Sequence, residues 1–93
     1  MEDLQYEYDA VNRMQSVSRL LKNKDFKSII LEGFLKDDFI YLGLNFANTP
    51  KEKRDFLAEQ LLARGIFKQY LDGILSEGIS ANETIAQYSQ EVE

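Results

Sequence analysis

The chain has 93 residues, a formal charge of −5, 44% hydrophobic residues, one Pro, and neither Cys nor His. That length points to one small domain with a marginal core; without Cys and His there are no disulfides, no thiolate or imidazole zinc sites, no thiol nucleophiles and no imidazole acid–base catalysis. The acidic balance disfavours binding to phosphate backbones, and no apolar run approaches the roughly 20 residues of a membrane span.

Residues 2–22 are expected to form the first helix of a single helical domain covering 1–93. Its opening, Met1-Glu2-Asp3-Leu4, is acidic and lacks the apolar core of a secretory signal. Tyr6, Ala10, Met14, Val17 and Leu21 recur at helical spacing on one stripe. Glu2 and Asp3 suit the positive end of the helix dipole; Arg19, Lys22 and Lys24 suit the other. Tyr8 and Val11 fall off the stripe, and Leu20 joins it late. The first turns are otherwise polar, and isolated helical turns are marginal in water. This start is therefore expected to project and to become ordered on something else. Leu4, Tyr6, Tyr8 and Val11 are the candidate protein-interaction residues, because tyrosine brings large area, little rotamer entropy and a polar tip. Deleting residues 1–9 should leave the fold largely intact while weakening partner binding or self-association.

Asn23 or Asp25 can cap a second helix through Phe26, Ile29, Ile30 and Leu31 to about Gly33. It is apolar over most of its circumference, so a central place in the packing is expected. Residues 39–46, FIYLGLNF, have the flavour of a strand. No second run can pair with them, and a lone strand leaves backbone groups unsatisfied. A helix from about Lys36 to Ala47 is expected instead, closed by Asn48.

Thr49-Pro50-Lys51-Glu52 is a capping-box pattern with Pro at the first helical position. Leu57, Leu61 and Leu62 share one face of the helix it starts. Ile66, Phe67, Tyr70, Leu71, Ile74 and Leu75 define another, out of phase with the first. Gly65 stands at the phase break and is expected to be a cap with positive φ, the corner between two helices. Gly78 should end the second of these. Ser80-Ala81-Asn82-Glu83 repeats the capping pattern ahead of a short last helix on Ile85, Tyr88 and Val92. Its acidic end, within 84–93, should fray. The fold class is therefore all-α, a small bundle of about five helices, with ends near Gly33, Asn48, Gly65 and Gly78.

The chemical inventory is short. Asp37-Asp38 and Glu2-Asp3 are adjacent pairs, whose carboxylates point about 100° apart on a helix. There is no EF-hand loop, P-loop or G-x-G-x-x-G fingerprint. An enzyme is not expected, nor is a cofactor, a metal or a small-molecule substrate. Lys51, Lys53 and Arg54 can be read as a phosphate contact at a helix start. The preferred reading is a solvated face with Asp55, Glu59 and Arg64 at ordinary salt-bridge spacing. Six Phe and five Tyr exceed what short helices can enclose. Apolar surface should remain for a protein partner or for self-association.

Asp25, Phe26, Lys27, Ile30, Leu31 and Gly33 fit a D-F-K-x-x-I-L-x-G pattern, and Ala63, Gly65, Phe67, Tyr70 and Leu71 fit A-x-G-x-F-x-x-Y-L. On these residues, over about 20–78, the chain resembles small acidic helical proteins encoded among the virion and assembly genes of tailed bacteriophages. It departs from them in the strand-like FIYLGLNF. The pattern consists of helix-packing residues and carries no site residues. The resemblance implies a noncatalytic structural part in a virion or its assembly, located in the particle or the host cytoplasm. The expected function is docking onto a larger protein assembly. The alternative is a small acidic phage-type inhibitor of a host nucleic-acid enzyme, presenting Glu2, Asp3, Glu7 and Asp9 to a basic surface.

Overall fold

The computed structural model describes the backbone of residues 3–92 and the side chains of residues 3–90. The described residues are all-α, with no strand. The elements are α1 (Gln5–Lys22), α2 (Lys24–Phe26), a π-helical segment (Lys27–Asp37), α3 (Asp38–Phe46) and α4 (Lys51–Val92). The middle three follow one another without a break, so three helical runs replace the expected five or so. Two expectations fall outside the described residues: the dipole role of Glu2 and the packing of the Val92 side chain.

The expected corner at Gly65 and the ends at Gly33 and Gly78 are not there. No glycine, and no other residue, has positive φ among the described residues. A glycine inside a helix costs roughly 0.5–1 kcal/mol relative to Ala. The Leu, Ala, Gln, Lys and Arg residues around Gly65 are strong helix formers, and a 42-residue helix absorbs the loss. Ser80 starts no new helix either, since its carbonyl accepts from the Thr84 hydroxyl (3.2 Å) inside α4.

The contacts divide the chain into two units. In the first, residues 3–20 meet residues 71–92. Its core is Ala10 and Val17 from α1 with Leu71, Ile74 and Ala81 from α4. Leu71, Ile74, Gly78, Ala81, Ile85 and Tyr88 alternate spacings of three and four, the seam of a heptad pattern. Gly78 is buried, and a Cβ added there would overlap Met14 Cβ and lie 2.7 Å from Met14 Cγ and Sδ. It is a place of close helix approach rather than a cap. Tyr6, expected on the buried stripe, is 67% exposed. Half-buried Glu7 lies one heptad before Met14 instead, and its Oε2 is buried without a hydrogen-bond partner.

The second unit is Leu21–Tyr70. Asn23 caps its start as expected, its side-chain oxygen accepting from Phe26 N–H at 2.9 Å. Of the helix expected over residues 36–47, the structure has α3 from Asp38, with no separate start because the π segment runs straight into it; it ends at Phe46, where Asn48 N–H donates to Asn45 O and Thr49 N–H to Phe46 O. The Thr49 hydroxyl donates to Asn45 O at 2.7 Å, so it serves the end of α3. The central place expected for Phe26–Leu31 is not observed: Ile29 is 67% exposed and Phe26, Ile30 and Leu31 are only half-buried. None of residues 21–70 is buried.

Candidate interaction site

Arg64 sets the geometry of the second unit. The π segment closes with Asp38 N–H donating to Gly33 O, five residues back. The return to α spacing at α3 passes over the next carbonyl, that of Phe34. A buried carbonyl left without a donor costs about 1–3 kcal/mol. Arg64 of α4 fills the gap: its Nε donates to Phe34 O at 3.2 Å, and Nη1 donates to Gln60 O at 3.1 Å. The guanidinium carbon lies 4.2 Å from the centre of the Phe34 ring, which meets Phe67 edge-to-face at 6.1 Å. Nη2 is 3.8 Å from the well-exposed carboxylate of Asp38, a distance and setting that add little. This arrangement locks α4 against the π segment and α3 in one register.

Beside that lock the two helices leave an open groove of about 620 Å³. Phe39, Gly43 and Phe46 of α3 form one wall, and Ala58, Leu61, Leu62, Gly65 and Ile66 of α4 form the other. Gln69 is its one polar lining residue, and no charged residue lines it. Phe39 is 45% exposed, Leu62 63% and Ile66 56%. Ile40 and Leu44, on the outer flank of α3, extend the apolar surface. Gly43 and Gly65 have nothing within 4 Å of where a Cβ would stand. This groove was only partly legible in sequence: the apolar surplus was visible, but its location depends on helix continuity through Gly65.

Of the four residues proposed from sequence, Leu4 lies just before α1, and Tyr6, Tyr8 and Val11 lie in its first two turns. Tyr6 (67%) and Tyr8 (51%) are exposed, while Leu4 and Val11 are half-buried. Tyr6 and Glu7 also line a more polar cleft of about 370 Å³ with Ser76, Glu77, Ser80 and Thr84. Lys51, Lys53 and Arg54 are exposed at the start of α4, and Arg54 Nε donates to Thr49 O at 2.9 Å, tying the helix start to its turn. Among the described residues, no three His, Cys, Asp or Glu side chains are grouped to hold a metal ion. No described helix is long and apolar enough to cross a membrane. Comparison with protein-family models, curated proteins and solved structures gives no match.

Proposed function

We propose that this chain is a noncatalytic helical interaction protein that docks onto a larger protein assembly. One observation carries the reading: large apolar side chains stand in solvent, Tyr6 (67%) and Tyr8 (51%) at the start of α1, and Phe39, Ile40, Leu44, Leu62 and Ile66 (45–73%) in a unit with no buried residue of its own. Exposed apolar surface of this kind supports a protein contact. The resemblance in residues 20–78 makes a tailed-phage particle or assembly intermediate the assembly to test first. Leu4, Tyr6, Tyr8 and Val11 are its proposed contact, with the two exposed tyrosines as anchors.

The experiment is copurification of the tagged full chain with purified particles and assembly intermediates. The chain should be found with capsid, portal or scaffold proteins, and the double variant Tyr6→Ala, Tyr8→Ala should lose most of that association. Particles free of the chain, with the chain recovered alone, would overturn the reading. Capture of a single polymerase or nuclease would move the assignment to the inhibitor class.

A further inference from the structure

We infer that the π segment is one state of a two-state helix, held in place by Arg64, and that in its other state α2, residues 27–37 and α3 wind into a single α-helical run. The inference concerns the fold itself and does not rest on the docking reading.

The two states differ by one exchange of donors. In the structure Asp38 N–H donates to Gly33 O, five residues back, and Arg64 Nε donates to Phe34 O at 3.2 Å. In an α-helix Asp38 N–H donates four residues back, to that same Phe34 O. Asp38 N–H and the Arg64 guanidinium therefore compete for one carbonyl. While Arg64 has it, Asp38 stays on Gly33 and the wide turn is kept. When Arg64 lets go, Asp38 N–H moves along by one carbonyl, the N–H groups before it do the same, and the turn narrows. Phe34 O has a donor in both states, so neither carries the penalty of a bare carbonyl.

The segment itself is suited to both windings. Runs of π-helix are rare and mostly one turn long, whereas this one has eleven residues. The sequence KSIILEGFLKD holds no Pro, and its Leu, Glu and Lys are good α formers. Gly33 is what tilts it towards π. A Cβ there would stand 3.3 Å from Ser28 O, the backbone carbonyl five residues back, which is inside the ordinary contact distance. The α state prefers Ala to Gly. The absent side chain thus clears the wide turn and weakens the narrow one. Arg64 adds its hold from α4, with Nη1 anchored on Gln60 O at 3.1 Å and the guanidinium 4.2 Å from the centre of the Phe34 ring.

The exchange would turn α3. An α-helical residue advances by about 100°, and a residue of the wider π turn by less. Winding residues 27–37 into α therefore rotates α3 about its axis relative to α2. Phe39, Ile40, Tyr41 and Leu44, which are 45–73% exposed, rotate with it. The device decides which way this apolar surface faces.

A long-range HNCO spectrum of the isotope-labelled full chain reads the acceptor of each N–H through the hydrogen bond. In the wild type Asp38 N should couple to the Gly33 carbonyl carbon. Relaxation dispersion should show residues 30–38 exchanging with a minor state of roughly 1–10%. Gly33→Ala should move the Asp38 coupling to the Phe34 carbonyl carbon, with chemical shifts matching that minor state. Arg64→Leu should move it in the same way. Gly43→Ala, which adds a methyl group where nothing lies within 4 Å, should keep the wild-type pattern. A wild type with Asp38 already on Phe34 overturns the inference, as does flat dispersion across the segment. Asp38 still paired with Gly33 in either switching variant overturns it too.

Discussion

Arg64 joins two turns of its own helix to a carbonyl thirty residues away, and its parts are unequal. The bond to Phe34 O satisfies a carbonyl that the π-to-α change leaves over, and the ring contact adds roughly 0.5–1 kcal/mol or more. The Asp38 pair is long and half in water. Arg64→Leu should therefore lower stability by about 2–3 kcal/mol in urea titration, and Asp38→Asn by no more than about 0.5 kcal/mol. Equal effects would show that the ion pair, rather than the carbonyl, holds the register. The glycines of α4 divide in a similar way. Gly78→Ala places a methyl group on Met14 and should destabilise by about 1–3 kcal/mol. Gly73→Ala meets nothing within 4 Å and should stabilise by about 0.5–1 kcal/mol. Thermal melts of the two single variants should move in opposite directions.

Elements with a local cause were legible in the sequence. Asn23 caps α2 through its own side chain, a bond made within one turn. Asn23→Ala should cost about 1 kcal/mol of stability by thermal melting, and Asp25→Ala much less, since Asp25 does not cap. The end of α3 before Asn48 and the start of α4 after Pro50 are equally local. What could not be read has a distant cause. The π segment depends on a donor from Arg64, and nothing in KSIILEGFLKD announces a change from four to five residues per hydrogen-bonded step. The shift of apolar face at Gly65 reads as a corner because a short amphipathic helix has one buried face. In α4 the earlier face, with Leu57 and Leu61, belongs to one unit and the later face, with Leu71 and Ile74, to the other. A helix with two successive partners gives the same pattern as two helices. The groove was lost by the same route, since a corner at Gly65 would have closed it.

At the scale of the molecule, the start of α1 is separable from what stabilises the fold. Ala10 is the first buried residue of α1, and before it only Leu4 and Glu7 are half-buried among the described residues. Deleting residues 1–9 should keep the far-UV spectrum and lower Tm by about 5 °C or less. It should abolish copurification with an assembly. Collapse of the fold on deletion would show that half-buried Leu4 and Glu7 hold the unit together, and would end the projecting-start reading.

The contact of Met14 with Gly78 also has a kinetic meaning. It joins two stretches separated by roughly sixty residues, whereas α3 and α4 are neighbours across a four-residue turn. Closing the longer loop costs about 2.5 kcal/mol more in entropy than closing the turn, four doublings of length at about 0.6 kcal/mol each, too little to bar the route. It is enough to rank the steps, because a short helical hairpin forms first by local contacts. The seam around Gly78 should then consolidate after the rate-limiting barrier. In a stopped-flow chevron, Gly78→Ala should steepen the loss of the native state by raising the unfolding rate, with the refolding arm nearly where the wild type has it. Arg64→Leu should slow refolding instead. The chain would then assemble from its middle outward, its two termini meeting last.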